Sequence, residues 1–268
     1  QYLLAAIPLF IFMASMLEKS GVIEEVFDVA YKWLGRIPGG LAVATVVAST
    51  VLAAMVGFIG AAVVTMALVA LPSMLRRGYS PVLAVGTVMA GGTLGILIPP
   101  SVLAIVYGLV ANQSVGELYL GSVFPGLVLS GLYILFSVGY ALLNPKAAPR
   151  LSPEETPTWS ERWRALRSIW SPLVLIFLVL GTIFLGLAAP TEAAAIGAFG
   201  AMVVAAIHRR LSWTILRLAL EQTAKATAMV MWIVFGANAF VGFYIAQGGD
   251  RYVSELLLGT GLSPWGIL

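Results

Sequence analysis

The chain has 268 residues, of which 60% are hydrophobic and only 10% are charged, and its mean hydropathy is +0.98. These values are typical of a protein that crosses a membrane several times, and they exclude an ordinary water-soluble domain. The absence of cysteine and the single histidine argue against disulfide frameworks, thiol catalysis and Cys/His metal sites. The net charge of +3 comes from basic residues between apolar segments, so membrane orientation explains it better than nucleic-acid binding does.

Long apolar windows predict an all-α polytopic membrane protein. In chain order the windows are residues 2–17, 41–56, 60–75, 81–111, 119–143, 171–188, 191–207 and 226–246. Two more segments, 21–36 and 211–223, are amphipathic at helical spacing, and we expect them to lie on the membrane surface, anchored by Trp33 and Trp213. The loop at 144–170 is rich in Pro, Arg and Glu, so we expect it to be solvated.

The windows 41–56 and 60–75 are close together and short. Each has about 16 residues, and the GFIG turn between them carries no polar anchor for the lipid headgroups. These features favour a re-entrant hairpin over 41–76 rather than two crossings. With this hairpin, fourteen of the fifteen basic residues lie on one face, which the positive-inside rule makes cytoplasmic. Charge alone does not decide, because two separate crossings would give the same downstream orientation.

The stretch GGTLGILIPPS at 91–101 places glycines and a Pro-Pro pair inside an apolar window. It predicts a discontinuous spanning helix over 81–111, unwound at 91–101 near the middle of the bilayer. An unwound loop offers carbonyl oxygens to a hard cation such as Na⁺, and the half-helix after it offers its N-terminus to an anionic substrate. The alternative is a Pro-kinked structural helix. The candidate residues are Gly95 and Pro99 for sodium, and Pro100 and Ser101 for the substrate.

The glycine tip GFIGAA at 57–62 is the predicted partner of this break, since glycines let two backbones come close. Its candidate sodium ligands are Gly57, Gly60 and Ala61, with Thr65 one or two turns further along. The alternatives are small-residue helix packing and a threonine that bonds to its own helix.

Three other polar residues stand out. Asn238, inside an apolar window, either lines the substrate path or bonds across helices. Glu192, in APTEAA, either complements the helix dipole in a first turn or takes part in transport. His208 is most simply a residue at the cytoplasmic boundary. No Ser/His/Asp, paired-carboxylate or P-loop pattern is present, so the sequence offers no basis for an enzyme or for ATP-driven transport.

A weak internal repeat organises the chain. Phe10 and the segment GRIPGG at 35–40 are echoed by Phe240 and the segment GTGLSPWG at 259–266. The first copy follows a span running inward and the second a span running outward, which is the pattern of an inverted-topology repeat.

We expect a single transmembrane domain over residues 1–268. Its parts are a first repeat at 1–143, a cytoplasmic loop at 144–170 and the start of a second repeat at 171–268. Since the chain begins and ends inside apolar runs, a longer protein is expected on both sides.

Five segments resemble, in order, the large membrane subunit of tripartite ATP-independent periplasmic (TRAP) transporters. They are PLFIFMASMLEKSG (8–21), VGFIGAAVVTMALVALPSMLRRGYSPVLAVGT (56–87), GGTLGILIPPS (91–101), SVFPGL (122–127) and APTEAAAIGA (189–198). The resemblance covers essentially the whole chain. It implies a Na⁺-coupled secondary importer of the bacterial inner membrane that works as an elevator, with a mobile transport domain moving against a scaffold.

The resemblance also implies partners and a cargo. These are a small membrane subunit of the DctQ type, a periplasmic substrate-binding protein of the DctP type, and carboxylates such as dicarboxylates, 2-oxoacids or sugar acids. The tip at 57–62 and the break at 95–101 correspond to the family's first sodium site. Many members have serines where this chain has Ala61 and Ala62, so backbone carbonyls would supply more of the coordination. The family's second hairpin and second Pro-Pro break are expected after Leu268.

Two other classes of protein fit parts of the same pattern. One is a Na⁺- or H⁺-coupled anion symporter of similar inverted-repeat fold that needs no binding protein. The other is a membrane scaffold without transport activity, which predicts no sodium dependence of any ligand-linked property.

Overall fold

The computed structural model describes residues 2–57, 59–149 and 157–259, and within these ranges the regular structure is helical, without strands. The predicted all-α membrane fold is confirmed. After a 3₁₀ turn at Tyr2–Ala5, the helices are α1 (Ala6–Lys19), α2 (Val22–Leu34), α3 (Gly40–Val56), α4 (Ile59–Arg76), α5 (Pro81–Leu97), α6 (Val102–Ala111), α7 (Val115–Leu143), α8 (Trp159–Ser168), α9 (Trp170–Phe184), α10 (Pro190–Ile207), α11 (Trp213–Ala246) and α12 (Gly249–Gly259).

The chain forms two compact units that divide within α11, one ending at Ala224 and one beginning at Lys225. Each is described by itself. The first unit contains α1 to α10 and the start of α11, while the second contains the rest of α11 and α12.

Several helices match the dimensions of a bilayer. In the described ranges, four segments are long and apolar enough to cross one: Pro81–Ala111, Val115–Leu143, Pro190–Ile207 and Trp213–Ala246. Two bent helix pairs raise the number to as many as six: α1 with α2 at 65° and α8 with α9 at 48°. The first bend follows from Gly21, whose φ of 70° begins a new helix direction.

Helix α3 is the centre of one packed group and contacts α2, α4, α5 and α7. Val46 of α3 packs with Leu94 of α5 and with Ile98. The rest of its buried surface is rich in alanine, which lets neighbouring helices approach closely where lipid removes the hydrophobic driving force. The fully buried alanines are Ala42, Ala44, Ala48 and Ala53.

The glycine pair Gly91-Gly92 lies inside α5, so the expectation that it is unwound is wrong. A Cβ on Gly91 would overlap the side chain of Ser49 on α3, and one on Gly92 would overlap Val63 on α4. These glycines therefore bring α5 close to both α3 and α4. Their role is helix packing, because a glycine in a membrane helix keeps its helical hydrogen bonds when neighbouring helices cover it.

Helices α1, α9 and α10 form a second packed group within the first unit. Gly197 of α10 faces Met13 of α1, and a Cβ there would lie 2.6 Å from the methionine sulfur. Gly200, one turn further along α10, leaves no room for a Cβ beside Leu175 of α9. Small residues on α10 thus allow the two neighbouring helices to pack against it.

Two surface elements differ from their predictions. The segment 211–223 is not a separate helix, because α11 runs without a break from Trp213 to Ala246. A change from amphipathic to apolar composition does not interrupt a run of good helix formers. The loop at 144–170, expected to be solvated, contains helix α8, which the sequence analysis did not predict.

Trp33, the predicted interfacial anchor of the segment 21–36, has partners within the protein. Trp33 packs edge-to-face against Trp159 and Trp163 of α8, with ring centroids 6.1 and 5.8 Å away. Its indole N–H donates to the carbonyl of Arg162 at 3.3 Å. Trp33 therefore joins α2 to α8, because both its ring and its indole N–H have their partners on that helix.

Candidate ion and substrate site

The predicted discontinuous helix over 81–111 is confirmed, and its break is short. Helix α5 ends at Leu97 and α6 begins at Val102, with Ile98 and Ser101 in extended conformation. Gly95 lies inside α5 and is not part of the unwound segment. The prolines set the break, because each disfavours helical geometry in the residue before it. The Pro99-Pro100 peptide bond is cis.

The predicted tip at 57–62 is also shorter than expected. Gly57 ends α3 in the left-handed conformation, with φ of 58°, and α4 already begins at Ile59. Gly60 and Ala61 therefore lie in the first turn of a helix, where their carbonyls point into the helical ladder. Phe58 lies outside the described residues. Of the tip candidates, Gly57 is the residue with a non-helical backbone.

The structure brings the tip and the break into direct backbone contact. The amide of Val102 donates to the carbonyl of Gly57 at 3.2 Å. A Cβ on Gly57 would overlap the carbonyl oxygen of Pro100 and lie 3.2 Å from its carbon. Glycine is required here twice over, for its positive φ and for this approach. The predicted meeting of the two segments is therefore present in the first unit.

Ser101 is buried at the start of α6, with 1% of its surface exposed. Its hydroxyl accepts a long hydrogen bond from the amide of Ala104 at 3.4 Å, which makes it the N-cap of the half-helix. Its carbonyl accepts from the hydroxyl of Tyr119 on α7 at 3.2 Å. Both backbone and side chain of Ser101 are held in place.

Tyr119 is fully buried, and the sequence reasoning missed it. Its hydroxyl fixes the carbonyl of Ser101 from a neighbouring helix. The available signal was a tyrosine in the first turns of an apolar helix, because a buried phenol needs a hydrogen-bond partner. The identity of that partner depends on tertiary structure.

Four helix ends meet around this contact. Helices α3 and α5 end here at Val56 and Leu97, and α4 and α6 begin here at Ile59 and Val102. Carbonyl-rich C-terminal ends favour a cation, and N-terminal ends favour an anion. Helices α3, α5 and α6 carry no charged residue, and the one in α4 is Arg76 in its last turn. The electrostatics of this region therefore come from the backbone.

Of the other candidates, Asn238 and Glu192 have local hydrogen-bond partners. Thr65 is buried on α4 with 7% of its surface exposed. Asn238 belongs to the second unit, and its amide donates to the carbonyl of Val234 in its own helix at 2.8 Å. The carboxylate of Glu192 accepts from the amide of Ala189 at 2.9 Å, so it caps the start of α10. This favours the helix-terminal interpretation of Glu192.

A second polar cluster joins α2 to the first turn of α9 and to the residues that follow α10. Arg210 lies 3.1 Å from Glu25 and donates to the carbonyl of Ser20 at 2.9 Å. His208 lies 3.3 Å from the same carboxylate through Nδ1 and 3.0 Å from the hydroxyl of Ser171 through Nε2. We name these residues, Ser20 excepted, the Glu25 cluster. The predicted boundary residue His208 is thus a member of a polar network around Glu25.

Known proteins resemble this chain along its length. The large permease protein DctM of a C4-dicarboxylate TRAP transporter from Pseudomonas aeruginosa is 35% identical over 98% of this chain and 61% of its own length. The protein of the same name from Vibrio cholerae is 32% identical over 98% of this chain and 62% of its own. The ectoine/5-hydroxyectoine TRAP transporter large permease protein UehC from Ruegeria pomeroyi is 32% identical over 91% and 56%.

The chain spans about three fifths of the length of these relatives. A family model described as the DctM component of the tripartite ATP-independent periplasmic transporter matches residues 1–268. This family is one of transporters and not of enzymes, as the sequence predicted. Because the match covers the whole sequence, the chain belongs to the DctM component family of TRAP transporters.

Proposed function

We propose that the chain is part of the membrane subunit of a Na⁺-coupled secondary transporter in the bacterial inner membrane. It imports a small carboxylate delivered by a periplasmic binding protein and works by elevator-type alternating access. The observation that carries this proposal is the junction of four helix ends around Gly57 and Ser101, where no charged side chain is supplied by α3, α5 or α6. Backbone groups there provide opposite partial charges for a cation and an anion.

The sodium ion is assigned to the carbonyl side of this junction. The carbonyl oxygen of Gly57 accepts one hydrogen bond, which leaves a second lone pair free. The carbonyl oxygen of Ser101 accepts two, from the Tyr119 hydroxyl and the Ile105 amide. Pro99 and Pro100 carry carbonyls in the same non-helical stretch. Hard cations take about six oxygen ligands, so the carbonyls of Gly57, Pro99 and Pro100 form a partial set that water, the Ser101 hydroxyl or the substrate completes.

The substrate carboxylate is assigned to the N-terminal end of α6. In the first turn the amides of Val102 and Ala104 already donate to Gly57 and Ser101. The Leu103 amide and the Ser101 hydroxyl are therefore the donors that bind an anion without a buried Arg or Lys. The named cargoes of the relatives include C4-dicarboxylates and ectoines, which supports a small polar molecule and, for the first group, a carboxylate.

Partners and mechanism follow from the family. A tripartite transporter needs two further components, which we assign as a small membrane subunit and a periplasmic binding protein. The packing of α5 against α3 and α4 through Gly91 and Gly92 supports the elevator mechanism. Helices packed without space for a Cβ suit movement as one rigid body.

Uptake by the reconstituted complex tests this function. The full-length permease, with its small subunit and binding protein, is placed in liposomes and offered a panel of labelled carboxylates with Na⁺ or K⁺ outside. We expect uptake of at least one carboxylate that needs both an inward Na⁺ gradient and the binding protein. Uptake without the binding protein would favour the symporter alternative. Equal uptake in K⁺ would contradict sodium coupling.

Ser101→Ala in the same assay tests the substrate site. We expect the apparent KM for the carboxylate to rise about tenfold, as for loss of one hydrogen bond to a charged group of ~1.5 kcal/mol. Ser122→Ala is the matched control, since the Ser122 hydroxyl bonds within its own helix to Tyr119. Equal KM values for the two variants would show that Ser101 caps the helix and does not bind the substrate.

A further inference from the structure

Helix α8 is fixed to the rest of the first unit, although it lies in a polar loop. Thr158 and Glu161 form a capping box at its start. Trp33 of α2 lies between Trp159 and Trp163 and bonds to the carbonyl of the intervening arginine, Arg162. An isolated helix of this length is unstable in water. The contact with α2 therefore supplies the stability that α8 lacks by itself.

Three tryptophans line one side of α8 and its junction with α9. Trp159 and Trp163 are four residues apart, which places them on a common face of α8, and Trp170 is the first residue of α9. They are exposed by 66%, 57% and 57%. Trp170 begins α9, an apolar helix bent by 48° from α8. Tryptophan at such a helix boundary is typical of the membrane–water interface.

Arginines accompany this aromatic face. Arg164 and Arg167 are exposed on α8. Arg162 is 8% exposed, and its Nε and Nη2 have no hydrogen-bond partner within the described ranges. Its guanidinium carbon lies 5.2 Å from the centre of the Trp159 ring. A buried cation whose Nε and Nη2 find no acceptor among the described residues favours an anion at this position.

We propose that α8 binds the phosphate groups of anionic phospholipids. The tryptophan face lies at the boundary between headgroups and acyl chains, while Arg164 and Arg167 reach the phosphates beside it. The guanidinium of Arg162 donates to a phosphate oxygen at the Trp159 side of the same surface. The assignment depends on the membrane fold and not on the transported substrate.

Lipid titration of the full-length permease tests the proposal. Phosphatidylglycerol is added to protein in mixed micelles of detergent and phosphatidylcholine, and its apparent Kd is read from thermal stabilisation by size exclusion after heating. The double variant R164Q/R167Q should bind about fivefold more weakly per lost charge, about 25-fold in all. The control R209Q/K225Q removes two exposed charges elsewhere and should bind as wild type. An equal loss of phosphatidylglycerol affinity in both double variants would show that binding depends only on net charge. That result would contradict a lipid site on α8.

The role of Arg162 is tested by Arg162→Met. This variant should raise thermal stability in phosphatidylcholine alone, because it removes a buried charge that has no acceptor for Nε and Nη2 among the described residues, and it should weaken phosphatidylglycerol binding. Lower stability in both lipids would assign Arg162 a purely structural role and contradict its part in the site.

The source of the phosphate is tested with inorganic phosphate and with the small subunit. Equal stabilisation by inorganic phosphate would indicate a soluble-anion site. Loss of the small subunit from R164Q/R167Q, with unchanged lipid binding, would indicate a protein contact. Either result overturns the lipid assignment.

Discussion

The junction at Gly57 and the Glu25 cluster hold helices together by opposite means. At the junction, backbone meets backbone: an amide of α6 bonds to the carbonyl of Gly57, and no side chain intervenes. In the Glu25 cluster, side chains meet: the Glu25 carboxylate of α2 lies 3.1 Å from Arg210 and 3.3 Å from His208, both in the segment between α10 and α11. Charged side chains are expensive inside a bilayer, and backbone dipoles are present in every residue. Because the sequence of α3 to α6 is apolar, polar contacts at the junction are made mainly by backbone amides and carbonyls.

The two regions should also differ in tolerance. Backbone atoms cannot move aside by changing rotamer, so the junction cannot accommodate an added side-chain atom without a shift of the main chain. The Glu25 cluster has alternatives, since Arg210 bonds both to the carboxylate and to the carbonyl of Ser20. We therefore expect substitutions at the junction to have larger effects than those in the cluster.

Gly57→Ala should have the largest effect. The new Cβ meets the carbonyl of Pro100 while the residue keeps a positive φ, and together these cost about 3 kcal/mol or more. We expect a strongly lowered midpoint of unfolding in detergent and loss of uptake. Gly86→Ala on α5 is the control, because no atom lies within 4 Å of its Cβ position, and it should be neutral or slightly stabilising. Similar midpoints for the two variants would mean that the Gly57–Pro100 contact is not made.

Glu25→Gln should have the next largest effect, because it leaves Arg210 and His208 without their carboxylate. The Glu25 side chain is 21% exposed, so we expect a loss of about 1–3 kcal/mol, less than for a fully buried pair. The control is Glu221→Gln, which breaks an exposed pair with Arg217 worth about 0.3–0.5 kcal/mol. Unfolding midpoints at low and high salt measure both. A salt-sensitive loss no larger than the control's would show that the cluster behaves as a surface ion pair.

The sequence predicted the membrane helices well, because windows of bilayer length are a strong signal. The window 191–207 became Pro190–Ile207, and the broken segment 81–111 kept its bounds. Helix α8 was missed although its signals were present: a T-x-x-E capping box at Thr158 and tryptophans four residues apart. The loop's overall polarity concealed them. The amphipathic segment was expected to end at residue 223, but the helix continues. The composition changes there, whereas the helix propensity does not.

The site was predicted in outline, and its details depended on neighbours. Prolines act on the residue before them, so the break was found from local sequence. Glycine has two uses, unwinding and close packing, and only the positions of Ser49 and Val63 show that Gly91 and Gly92 serve the second. Tyr119 was missed for the same reason, since its partner lies on another helix.

Tyr119→Phe sharpens the comparison by removing one side chain that supports the backbone junction. It deletes the hydroxyl that donates to the Ser101 carbonyl, a bond worth about 1 kcal/mol. We expect the Na⁺ concentration for half-maximal uptake to rise about fivefold with little change in maximal rate. Tyr133→Phe, on the same helix, removes a contact with Thr93 on an exposed surface. If both variants show the same sodium dependence, Tyr119 supports the fold without positioning the ion site.

The smallest effect concerns the capping box at the start of α8. The Thr158 amide and hydroxyl donate to the Glu161 carboxylate at 2.7 and 2.9 Å. These bonds, with smaller contributions from Lys32 and Arg164, lower the pKa of Glu161. Because the folded pKa lies below the unfolded one, the cap contributes fully above the ordinary carboxyl range and is lost as pH falls through the folded pKa.

Hydrogen exchange of the α8 amides at about pH 7 and about pH 3.5, corrected for intrinsic rates, should therefore show less protection at the lower pH. Glu161→Gln should lower the protection at pH 7 and remove most of its change with pH. Helix α7 is an internal control, since its start is capped by the Ser114 hydroxyl, which accepts from the amide of Glu117 and does not titrate. A parallel loss of protection at α7 would attribute the pH effect to general unfolding, and unchanged protection at α8 would mean that its contact with Trp33 holds the helix without the cap.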